Sequence, residues 1–159
     1  MIVMTALGEL AAQISYLYGH PVTSTAYNDR KKIQKLAYLL NRFGVDTPDY
    51  DKMWHHEGPF SFQLHYAYYQ NPSDLCAEPV RTPSEKLVRF KQIFASFLED
   101  TNYLELLASV IYLNDEYACH FNEDMLCDLM ELKKPKYDRD DVEYAIAFLS
   151  SIPEFAASN

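Results

Sequence analysis

The chain has 159 residues and a mass of 18.5 kDa, with 14 basic and 23 acidic side chains and a net charge of −9. That length fits one domain with a core of its own, and 48% hydrophobic residues exclude a disordered tail. A pI near 4.9 excludes a globally basic nucleic-acid binder and leaves room for a small local basic face.

Helical periodicity dominates from the start. Met4, Leu7, Leu10, Ala11, Ile14, Leu17 and Tyr18 recur at three and four, the spacing of one buried helix face. Gly19 and Pro21 stop that helix. A second helix is expected from Asp29 to Phe43, with Ile33, Leu36, Ala37, Leu40 and Phe43 on one face and Gly44 at its C-terminal turn. Its first half carries Arg30, Lys31, Lys32 and Lys35, where basic charge opposes the helix dipole. These four are the candidate contacts for a phosphate or other anion.

Residues 45–60 read as a loop followed by a short β element, with Met53-Trp54-His55-His56 as a strand and Gly58-Pro59 as its punctuation. Ser61 is a natural cap for a short aromatic helix from Phe62 to Gln70. Thr82-Pro83-Ser84-Glu85 reads as a capping box with proline at the first helical position. The helix behind it is expected to bury Leu87, Phe90, Ile93, Phe94 and Phe97. Asn102-Tyr103-Leu104-Glu105 reads as a second capping box, with Leu104, Leu107, Ala108, Ile111 and Tyr112 inward. Asn122 and Asp138 are expected to cap the last two helices. The expected fold is therefore mostly α. It is a compact domain over 1–159 of about seven helices, with a short β element near residues 50–60. Residues 1–70 form a winged-helix-like N-terminal half and 82–150 an acidic helical C-terminal half. Residues 97–159 hold 4 basic and 14 acidic side chains, so the acidity belongs to that second half.

Sites of chemistry are scarce. Cys76, Cys119 and Cys127 are odd in number and lack motif spacing, which argues against a disulfide framework and for a reducing, cytoplasmic setting. Met1 to Gly19 is a poor signal peptide, being free of early Lys or Arg and broken by Glu9 and Gln13. No apolar run approaches the ~18 residues of a membrane span. Four glycines leave no phosphate loop or dinucleotide fingerprint. His55 and His56 are neighbours, and in a strand they would point to opposite faces, so no metal ion and no cofactor is expected. No nucleophile elbow or poised acid–base pair stands out, and the chain reads as non-enzymatic. The aromatic stretch is the better functional candidate. Trp54, His55, His56, Phe60, Tyr66 and Tyr69 combine the residue types that dominate protein interfaces. The helix Phe62 to Gln70 has no Lys or Arg, which disfavours it as a reader of DNA.

Several segments resemble a known family. Arg30-Lys31-Lys32-Ile33-Gln34-Lys35-Leu36-Ala37-Tyr38-Leu39-Leu40 resembles the K-L-Q-K-L-x-Y-L-L helix of YwgA-like bacterial proteins and of the related Panacea antitoxin domain, typified by SocA. Gly58-Pro59-Phe60-Ser61 with Leu64 is similar to their Y-G-P-Y-S-x-x-L segment. Leu104 to Leu113 resembles the L-E-L-L-A-S-I-x-Y-L helix of the YwgA-like proteins. Glu131 to Tyr137 and Ala145 to Leu149 are similar to their L-K-P-K-F and A-x-x-F-L endings. The order is kept across residues 30–149, and the antitoxin likeness covers about the first half. The resemblance implies a small helical domain with a winged-helix-like core. It also implies a non-catalytic role in binding a protein, as antitoxins bind toxins or deliver them for degradation. The expected partner is a protein, such as a basic toxin meeting the acidic half. A DNA-binding regulator using Arg30 to Lys35 is the alternative, and a homo-oligomer stays open.

Overall fold

A computed structural model describes residues 4–156 as a mostly α domain with one contiguous hydrophobic core. Helix α1, Ala6–Tyr18, is capped by the Thr5 hydroxyl, which accepts from Gly8 N at 3.0 Å. Met4 precedes the helix and is exposed, so it does not join the buried face. Helix α2, Tyr27–Phe43, begins two residues before the expected Asp29. Strands β1, Met53–His55, and β2, Gly58–Phe60, pair antiparallel as a hairpin, and α3, Phe62–Gln70, follows at once. After a 3-10 turn at Pro72–Leu75 come α4, Glu85–Phe94, and α5, Thr101–Glu116. Helices α6, Glu123–Lys133, α7, Arg139–Ser150, and the four-residue α8, Pro153–Ala156, follow.

Two further helix starts differ from the sequence expectation. Ser84, not Thr82, caps α4, its Oγ accepting from Leu87 N at 3.1 Å. This leaves Glu85 in the first turn, where the dipole favours it. Asp100, not Asn102, caps α5 by accepting from Tyr103 N at 3.0 Å. Glu105 is then not free to reach back as a capping-box partner, because it faces inward to a lysine cluster. Asn122 does cap α6, accepting from Met125 N, whereas Asp138 precedes α7 without a side-chain cap bond.

Helix α5 runs through the centre. Leu104, Leu106, Leu107, Ala108, Val110, Ile111 and Leu113 are all buried, so it is apolar nearly all round rather than on one side. It packs against α2, α6, α7 and β2. Ile93, Phe97 and Tyr112 sit half-buried at the edge of the core. At the far end Phe43, Phe90, Phe94 and Phe155 form an aromatic cluster, with Phe90 and Phe94 stacked at 4.2 Å. Among the described residues, no helix is long and apolar enough to cross a membrane.

Candidate functional site

The segments 30–40, 58–64, 104–113 and 131–137 meet at one place, where the hairpin is clamped between α2 and α5. Gln34 on α2 treats Ser61 as a strand would. Its Nε2 donates to Ser61 O and its Oε1 accepts from Ser61 N, both at 2.9 Å. Ser61 Oγ caps α3 by accepting from Leu64 N at 3.0 Å, and donates to Asp51 Oδ1 at 2.6 Å. Lys35 Nζ donates to the Pro59 carbonyl at 2.8 Å, and Lys134 Nζ donates to the His56 carbonyl. Gly58 lies against α5 with φ +89°, and a Cβ there would sit 2.5 Å from Ser109 Oγ.

Beneath the hairpin lies a buried ionic cluster. Glu105 is fully buried, with Lys31 Nζ 2.8 Å from one oxygen and Lys134 and Lys136 Nζ 2.9 and 2.8 Å from the other. The Tyr137 hydroxyl donates to that second oxygen at 2.8 Å. Burial pushes the Glu105 carboxyl up, but hydrogen bonds from Lys136, Lys31, Lys134 and Tyr137 outweigh it and hold it at about 2. Lys35 is buried and forms no ion pair among the described residues. Burial draws its ammonium down to about 7, against the pull of Glu105 and Glu57.

The basic segment therefore does not form one open phosphate face. Lys31 and Lys35 turn inward, as the positions just given require. Lys32 pairs with Glu99 on another side, and Arg30 donates to the Ser24 and Thr25 carbonyls. The two candidate sets instead share a cleft of about 300 Å³. One wall is α2, with Tyr27, Arg30, Lys31 and Lys35. The other is the hairpin and α3, with His55, Phe60, Phe62, His65 and Tyr69 in ring contact with one another. Tyr66 stands outside, 62% exposed. Trp54 belongs to packing, its ring 5.7 Å from Tyr112 on α5.

The metal argument from alternation fails at His56. The strand ends at His55, and the turn brings ligand atoms of His55, His56 and Glu57 within 4.8 Å of one another. Burial, His56, Lys35 and Lys134 lower the His55 pKa, and Glu57 raises it. The positive charge from Lys35 and Lys134 disfavours a cation at that spot.

Sequence reading missed Tyr27, Phe62, His65, Glu105, Lys134, Lys136 and Tyr137. Glu105 carries a legible signal, a lone charge inside the apolar run Leu104 to Val110. The rest depend on tertiary contact. No protein-family model, curated protein or solved structure matches the chain.

Proposed function

We propose that the protein is a non-enzymatic binding module that docks a partner protein on the face formed by the hairpin and α3, in the manner of an antitoxin or immunity protein. The observation that supports this best is a set of large apolar side chains left in water on a rigid frame. Met53, Phe62, Tyr66 and Tyr69 are 47, 44, 62 and 57% exposed on two adjoining elements. Such a patch on a pre-ordered surface is what interface hot spots are made of. The likeness to YwgA-like and Panacea segments supports the same reading. The acidic surface of α6 and α7, with Asp128, Asp140 and Asp141 exposed, suits a basic partner and would speed encounter. The DNA-reading alternative draws no support from α3, which carries no Lys or Arg.

The test is co-purification from the native cell at native level, with the partner quantified against the wild-type chain. Phe62→Ala with Tyr66→Ala should weaken the purified complex ~30-fold or more, the scale of one hot spot. Asp140→Lys with Asp141→Lys should slow association in low salt and leave dissociation nearly unchanged. A stoichiometric partner indifferent to the aromatic variant would sink the assignment of this face.

A further inference from the structure

The cleft between α2 and the hairpin has two chemically different walls. Its aromatic wall is continuous, with His55 stacked on Phe60 at 4.9 Å and His65 4.6 Å from Tyr69. Its other wall presents Arg30, Lys31 and Lys35. Lys31 is shared with Glu105, but Arg30 and Lys35 bond only backbone carbonyls among the described residues. Among the described residues Glu57 is the one carboxylate on the lining; His56 Nε2 lies 3.2 Å from it, and the charges of Lys31, His56 and Lys35 help hold its pKa down against burial. Arg30 and, when protonated, Lys35 are in no ion pair among the described residues, and beside a cavity in a chain of net charge −9 they form a local positive centre that Glu57 and Glu105 offset only in part. Burying a lysine without a paired carboxylate is costly, and strongly perturbed groups in a cleft cluster at functional sites. Pockets of this size that combine apolar walls with a few convergent polar groups are the usual form of small-molecule sites.

We propose that this cleft binds a small anionic ligand built on a flat ring, with its phosphate or carboxylate on Lys35 and Arg30 and its ring on the Phe60–Phe62–Tyr69 wall. A nucleoside monophosphate represents the phosphate source of this chemistry and an aryl carboxylate the other. The proposal does not rest on partner docking, because it is measured on the isolated chain.

Isothermal titration calorimetry of the full chain tests it, with AMP, GMP and indole-3-acetate as probes. The half-ligands are adenosine or guanosine with inorganic phosphate for the nucleotides, and indole with acetate for indole-3-acetate. At least one whole probe should bind ~10-fold or more tighter than either half-ligand, the worth of one charge-assisted hydrogen bond. Binding by AMP or GMP alone identifies the phosphate source, and binding by indole-3-acetate alone the carboxylate source. Lys35→Met should weaken the binding probe ~10-fold or more. Arg30→Gln and Tyr69→Ala, both at partly open positions, should each weaken it several-fold, and they keep the test valid if Lys35→Met does not fold. Absence of binding by all three probes at ~1 mM overturns the proposal. So does binding that none of the three substitutions changes, or inorganic phosphate binding as tightly as AMP.

Discussion

Gly58 is the residue on which the hairpin turns, for two separate reasons. Its φ of +89° is strained for any L side chain, and a Cβ would meet Ser109 Oγ at 2.5 Å. Ser109 is itself buried on α5, and its hydroxyl makes no hydrogen bond among the described residues. Gly58→Ala should therefore lower stability by about 2–4 kcal/mol, from backbone strain and overpacking together. Ser109→Ala removes an unsatisfied hydroxyl and should be neutral or slightly stabilising. In the double variant the steric share vanishes and the strain stays, so about half of the loss should return. Urea denaturation of the four proteins measures this coupling. Additive losses would mean that Ser109 moves aside, and that the close approach does not fix the hairpin.

At the scale of elements, the helices were legible because apolar periodicity is local, and the starts of α4 and α5 were misread because capping is competitive. Thr82 and Ser84 are both competent caps two residues apart, and spacing alone does not rank them. In the fold Ser84 makes the bond to Leu87 N. Ser84→Ala should cost ~1 kcal/mol and Thr82→Ala less than ~0.5 kcal/mol, by thermal or urea unfolding. The reverse order would restore the Thr82 start. The cleft was half legible for a related reason. Lys31 and Lys35 stand out along α2 as charges opposing the dipole, but Glu105, which draws Lys31 inward, lies 74 residues on from it in sequence. Nothing local links them. The aromatic run from Trp54 to Tyr69 was visible, while its division into packing at Trp54, cleft at Phe60 and open surface at Tyr66 depends on α5 and α2 closing over it.

For the whole molecule, net charge −9 hides a sorted distribution. Lys134 and Lys136, two of the 4 basic side chains after residue 96, are drawn to Glu105, which leaves the surface of α6 and α7 still more acidic. Arg30, Lys31 and Lys35 gather on the same region from the other side. The concentration of positive charge costs stability, and Lys35 makes that cost measurable. Burial lowers its pKa from 10.5 to about 7; Glu105 and Glu57 pull it up, and Lys134 and Lys31 push it down further. The folded pKa lies below the unfolded one, so between pH 7 and 10.5 the unfolded chain binds more protons. Stability contributed by this group must then rise with pH across that window, and below pH 7 the cost of charging Lys35 is present in full. Between pH 7 and 8.5 the gain is about 1–2 kcal/mol. Below pH 8.5 the Cys119 and Cys127 thiols, raised by burial, contribute little of the opposite sign. Lys35→Met removes the group and should flatten the rise, so the difference between the two chains carries its contribution together with that of the groups coupled to it. Urea midpoints of both chains at pH 7 and 8.5 read that difference directly. Equal slopes would mean that Lys35 keeps its proton in the fold, which requires a counter-charge closer than Glu105 or Glu57.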